Sequence, residues 1–259
     1  MPQLPRPQFI PPSAEQEEAT RMGLLDHLDE LRRRLTRAFL ALALGTTLAF
    51  FITEPVFRYL LEPYCFITGG ECRLQTLGPT EGVIAFFRVA LMLGAILSIP
   101  VMTYQLMLFI LPGLTSRERR YIFMALPAIT LLFIVGVLFA WFGLIPPAIG
   151  FLEGFAPNLF RPEWTADLYL SFVTALLFWM GVAFQTPLIF FVLALLGLVE
   201  TAFLRNNWRV AVVISSIAAA LITPTVDPVN MFLVMGPLLM LYTISIFLVA
   251  LGRRIAGLR

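Results

Sequence analysis

Six apolar stretches, near residues 35–53, 83–111, 121–144, 168–198, 210–223 and 231–251, recur along the chain with arginine-bearing segments between them. That recurrence leaves few folds open. A helix rises about 1.5 Å per residue and needs about 20 residues to cross a hydrocarbon core about 30 Å thick. Inside that solvent each backbone N–H and C=O must find its partner within the protein, so runs of this length are helices. Composition agrees, with 59% of the 259 residues hydrophobic and 13% charged, about half the charged share of a soluble domain. The expectation is an all-α polytopic membrane protein with six transmembrane helices.

The first four stretches are long enough to span. The fifth has only fourteen residues between Arg209 and Pro224, about 21 Å of helix, and is expected to fall short of a full crossing. The sixth has the length, but Gly236-Pro237 interrupts it and predicts a kink. Pro100, Pro127 and Pro187 lie within spans and predict further kinks, their freed carbonyls covered by neighbouring helices. The pattern holds no internal repeat and no paired broken helices of the inverted-repeat transporter kind.

Orientation follows from arginine placement, since all eighteen cations are arginine. With the N-terminus inside, fourteen of them fall on inner segments and three (Arg58, Arg73, Arg161) on outer loops. Positive charge favours the cytoplasmic side, so both termini are expected there. The remaining one, Arg88, falls inside the second span, within snorkelling reach of the outer headgroups. Residues 1–21 read as a disordered, proline-rich cytoplasmic extension without the features of a secretory signal. Residues 22–252 form the six-span membrane domain, and 253–259 a short cytoplasmic tail.

Just before the first apolar stretch, Asp26–Leu35 reads DHLDELRRRL. Leu24, Leu28, Leu31 and Leu35 recur on one helical face, while the polar face carries acids as well as arginines. Arginines alone suffice for a membrane anchor, so the acids need a reason. Asp29→Arg33 and Glu30→Arg34 are i,i+4 pairs that stabilise a helix by about 0.2–0.5 kcal/mol each. A second charged cluster, FILPGLTSRERRY at Phe109–Tyr121, lies on the same side of the membrane. There Thr115 and Glu118 form a T-x-x-E capping box, a sufficient local reason for Glu118. The functional alternative is that Glu30 and Glu118 jointly receive a cationic partner, since a carboxylate binds a guanidinium through two parallel hydrogen bonds.

Other chemistry is sparse. Cys65 and Cys72 flank Gly69-Gly70 in the first outer loop; in an oxidising compartment they close a small disulfide loop, and otherwise they are two separate thiols. Two cysteines and one distant histidine, His27, make no metal site. The spans hold no nucleophile–base pair and no phosphate-binding loop, so neither enzyme activity nor a cofactor is expected. Nothing points to nucleic acid. Gln105 and Gln185 are the notable polar groups inside spans. For Gln105 the reading is an interhelical hydrogen bond. For Gln185 that reading and a functional one both stand. A small-solute secondary transporter is the alternative function, but it calls for acids near the midplane, where these spans have almost none.

HLDELRRRL at 27–35, FILPGLTSRERR at 109–120, AFQTP at 183–187 and ITPTVDP at 222–228 together resemble, in order and at span borders, the motifs of the TatC family. TatC is the core subunit of the twin-arginine, Sec-independent protein translocase of the bacterial cytoplasmic (inner) membrane. The resemblance covers about residues 24–252. It implies a concave, glove-like arrangement of six helices with short fifth and sixth spans. It further implies a receptor for twin-arginine signal peptides that exports folded proteins with TatA- and TatB-type single-span partners, as a homo-oligomer in contact with membrane lipid. By motif position, Glu30 and Glu118 contact the signal's arginines, and Leu28, Arg32, Phe109 and Pro112 shape that surface. Pro63 and Asp227 match a family proline and a family acid in outer loops, and with Gln185 they are assigned to partner-helix docking or translocation. The chain departs from the family at Gln185, where many relatives carry glutamate. It departs also at Met107, often tryptophan, and at Thr243, often an acid.

Overall fold

The computed structural model describes residues 14–68, 74–110, 116–156, 158–159, 163–223 and 227–257, with side chains described from Leu28 onward except at 107, 110 and 116–126. The described residues form helices and one isolated parallel bridge, Gln75 to Thr165. Helix α1 runs Ala14–Phe50, α2 Thr53–Leu60, α3 Glu62–Thr68, α4 Glu81–Ile110 and α5 Ser116–Phe139. A π-turn at Ala140–Leu144 then leads into α6, Ile145–Gly154. The second half comprises α7 (Ala166–Ala183), α8 (Thr186–Leu195), α9 (Thr201–Asn206), α10 (Trp208–Ile222) and α11 (Pro228–Ile255).

Four segments are long and apolar enough to cross a bilayer: Glu81–Leu106, Pro127–Gly154, Ala166–Leu195 and Pro228–Ile255. Leu28–Phe50 and Thr53–Phe66, bent by 78° between them, make a fifth when taken together. The chain is thus a multi-pass membrane protein. The short fifth apolar stretch becomes α10, 15 residues long and so about 22 Å. The amphipathic stretch Asp26–Leu35 and the first span are one continuous helix, α1. Gly236-Pro237 lies inside α11, which continues through it as a single helix.

Proline leaves its clearest mark in the third and fourth spans. Pro146 and Pro147 supply no N–H, so the carbonyls a turn earlier lose their helical donors, and the chain widens into the π-turn ahead of them. The fourth span breaks at Phe184-Gln185, just before Pro187. Here the Gln185 N–H donates to the Val182 carbonyl at 3.0 Å rather than to that of Gly181. The break divides the packing: α7 lies against α4 and α5, whereas α8 lies against α11, which also carries α9 and α10. The fourth span therefore joins the two halves of the molecule.

Helix α4 sits centrally, against α1, α5 and α7. Its crossing with α1 brings backbone to backbone: a Cβ on Gly94 would lie 2.5 Å from both the N and Cα of Thr46. Small residues allow this, and with no hydrophobic drive between helices in lipid, such close packing carries much of their association. The Ser98 hydroxyl crosses the same seam, 2.8 Å from the Ala41 carbonyl. Arg88, within the second span, bonds Asp167 at the start of α7, 2.6 Å to Oδ1 and 3.0 Å to its carbonyl. With both side chains partly exposed, the pair stabilises by about 1 kcal/mol at most. The buried Tyr169 ties α7 to α2 by donating to the Leu60 carbonyl at 2.7 Å.

Candidate functional site: a charged hollow opening on an apolar groove

On α1, Asp29, Glu30, Arg33, Arg34 and Arg37 line a polar hollow. The i,i+4 spacing makes its pairs: Arg33 donates to Asp29 at 2.8 Å, and the Arg34 guanidinium donates to the Glu30 carboxylate. The two pairs differ in setting. Asp29 and Arg33 are both well exposed, while Arg34 and Glu30 are partly buried, 19% and 33% exposed. Less water competes for the second pair, so its charges are felt more strongly.

Arg34 also belongs to a groove of about 420 Å³ running between α1, α4, α5, α7 and α8. Leu31 and Leu35 line it from α1, Phe109 and Gln105 from α4, Ile129 and Phe133 from α5, and Gln185 and Leu188 at the start of the α8 side. The leucine stripe explains why α1 offers this wall: Leu31 and Leu35 share the face that Arg34 flanks. Arg34 thus links the carboxylate hollow to an apolar channel surface.

The groove holds two buried amides. Gln185 Nε2 donates to the Ile129 carbonyl at 3.2 Å and to the Gly181 carbonyl at 3.4 Å. The second acceptor is available because the helix break has taken the Gln185 N–H away from it. This fits the interhelical reading of Gln185 and adds to it, since its Oε1 is buried with no hydrogen-bond partner among the described residues. Gln105 is also buried, and its Oε1 is likewise without a partner among them. A buried acceptor left unmet in apolar surroundings costs about 1–3 kcal/mol, so a guest that brings donors would be favoured here.

The other sequence-assigned residues fall elsewhere. Leu28 and Arg32 are exposed on α1 near the hollow. Asp227 caps α11, accepting from the Asn230 N–H at 2.7 Å and from its side-chain amide at 3.0 Å. A cap of this kind stabilises by about 1 kcal/mol, and Asp227 does not line the groove. Pro63 lies on α3 at the far end of the first span, beside Cys65, which is disulfide-bonded. Pro112 and Cys72 lie outside the described residues. Glu118 lies in the first turn of α5, with its side chain outside the described set. Among the described residues no cluster of histidine, cysteine or carboxylate suits a metal. Sequence reasoning passed over the double role of Arg34, although its place on the edge of the leucine stripe is readable from the spacing.

The family model for the Sec-independent protein translocase protein (TatC) matches residues 26–237. The chain belongs to the TatC family. A TatC from Aquifex aeolicus is 38% identical over 235 residues, covering 90% of this chain and 97% of that protein. The Synechocystis TatC is 34% identical over 221 residues, 85% of each chain. A crystal structure described as the twin arginine translocase receptor TatC superposes with a TM-score of 0.78 at 37% identity, covering 87% of this chain and 99% of that one. As a TatC, the chain is a membrane component of a protein translocase, works in a complex with other Tat subunits, and is not an enzyme.

Proposed function

We propose that this TatC is the signal-peptide receptor of its translocase, binding twin-arginine signals on the cytoplasmic face of a bacterial inner membrane with both termini on that side. The observation that carries the reading is the continuity of site: the Glu30 carboxylate touches Arg34, and Arg34 lines the apolar groove that ends at Gln105 and Gln185. A peptide with two arginines ahead of an apolar segment has the matching order of chemistry. Its guanidiniums pair with Glu30 and Glu118, and its apolar segment lies in the groove. The described crystal structure of a relative as a receptor supports the same reading.

TatA- and TatB-type single-span helices then pack near Gln185 and along α10 and α11. A donor on such a helix, or on the signal itself, would satisfy the open Gln185 and Gln105 oxygens. Glutamine in place of the usual glutamate leaves docking by hydrogen bond and removes a titrating carboxyl from this depth.

Fluorescence anisotropy of a labelled twin-arginine peptide on the purified protein in nanodiscs tests the reading. Loss of both carboxylates in Glu30→Ala, Glu118→Ala is expected to weaken binding by about 100-fold, two charge-assisted contacts at the lower end of their range. Unchanged affinity in that double variant removes the site assignment.

A further inference from the structure

At the far end of the first span from Glu30, α2, α3, the π-turn and α6 line a second, open hollow of about 1050 Å³. We propose that it binds a phospholipid whose headgroup carries a primary ammonium, with the phosphate at Arg58 and the ammonium at Glu62. The inference is independent of the signal-binding reading and rests on depth, shape and charge.

Depth comes from the bend of 78° after Phe50, which turns α2 and α3 away from the direction of α1. A short helix so turned at the end of a span lies along the membrane boundary, where headgroups are. The walls suit that level. Tyr59 and Trp141 stack at 4.9 Å between ring centres, and the indole N–H donates to the Tyr59 hydroxyl at 3.0 Å. Aromatic residues with a polar tip favour this boundary. The remaining walls, including Leu61, Phe66 and Phe142, are apolar. Phe66 is 89% and Phe142 67% exposed, so an acyl chain would cover surface that the protein leaves open.

Charge selects the headgroup. Arg58 and Glu62 both line this hollow. Arg58 bonds Glu54 at 2.8 Å, but with 77% and 70% of the side chains exposed that pair is weakly held. Its guanidinium has donors to spare for a phosphate. Glu62 makes no ion pair among the described residues. A net-anionic lipid would set its charge against both glutamates. A choline headgroup has no N–H for Glu62. Phosphatidylethanolamine is neutral overall and offers a phosphate and an N–H₃⁺ to complementary partners.

Native mass spectrometry on the purified protein, incubated with equimolar phosphatidylethanolamine, phosphatidylglycerol and phosphatidylcholine of identical acyl chains, tests this. Wild-type protein is expected to retain phosphatidylethanolamine about tenfold over each of the others, the worth of one charge-assisted contact. Glu62→Gln is expected to abolish the preference over phosphatidylcholine while still retaining phospholipid. Arg58→Gln is expected to lower retention of all three. Both positions are exposed, so neither change threatens the fold. Equal retention by the wild type, preference for either other lipid, a preference that survives Glu62→Gln, or a second copy of the chain in place of lipid would each overturn the proposal.

Discussion

Glu30→Arg and Glu118→Arg are each expected to abolish export of a folded reporter carrying a twin-arginine signal, while the chain still inserts. On the proposed reading, each replaces an attractive carboxylate–guanidinium contact with repulsion between like charges. Loss of the hydrogen-bonded contact alone is worth about 1.5–3 kcal/mol, a factor of about 10–100 in binding. The fold should tolerate the first change. Glu30 is partly exposed, and its pair with Arg34 is a within-helix contact whose contribution to helix stability is about 0.2–0.5 kcal/mol. Asp29→Arg is the comparison within the same hollow: Asp29 lines it too, but it is half exposed, pairs only with the exposed Arg33 among the described residues, and does not line the groove. Export should then stay within about twofold of wild type, as expected for a surface pair worth little. Equal losses at positions 29 and 30 would mean that net charge on α1, rather than the Glu30 carboxylate, matters. Reporter fractionation and protease mapping of insertion separate these outcomes.

The second large effect concerns the seam between α1 and α4. Gly94→Ala is expected to destabilise the protein by about 3 kcal/mol, the upper end for overpacking, because the added carbon meets the main chain of Thr46 as well as its hydroxyl. A Cβ there would stand 2.5 Å from the Thr46 N and Cα, so the helices must separate. Gly150→Ala is the comparison: nothing lies within 4 Å of its Cβ position in α6. Helix propensity alone then favours alanine by about 0.5–1 kcal/mol. Thermal unfolding in detergent is expected to move in opposite directions for the two variants. If Gly94→Ala unfolds at the wild-type temperature, the backbone contact is not the one that holds α1 in place. Because α1 carries both Glu30 and one wall of the groove, this packing also sets the site's geometry.

Much of this architecture is readable from the order of residues because bilayer thickness converts apolar length into spans. The short α10 follows from fourteen residues between Arg209 and Pro224. The break at Gln185 is prepared by Pro187, which has no N–H to give. Non-local partners were not legible. Arg88 has an acid 79 positions away, and nothing near it in sequence announces Asp167. The bend after Phe50 has no proline at it, the nearest being Pro55 inside α2, and the Gln105 oxygen, without a partner among the described residues, depends on which helices surround it. At the site, the i,i+4 rule gives the Glu30–Arg34 pair directly. That Arg34 also borders a groove shared with α8 requires the tertiary fold. Gly236-Pro237, a local breaker, is carried inside one continuous α11.

At the centre of the proposed mechanism stands the joint action of Glu30 and Glu118 on one pair of arginines. Its most direct test is photo-crosslinking from a photoreactive residue beside the two arginines of a signal peptide to the segments around positions 118 and 30 of the unaltered protein in native membranes. Both segments are expected to crosslink to that residue, and to do so far less when the two arginines are replaced by lysine. Crosslinking that is absent from either segment, or equally strong with the lysine peptide, would contradict it.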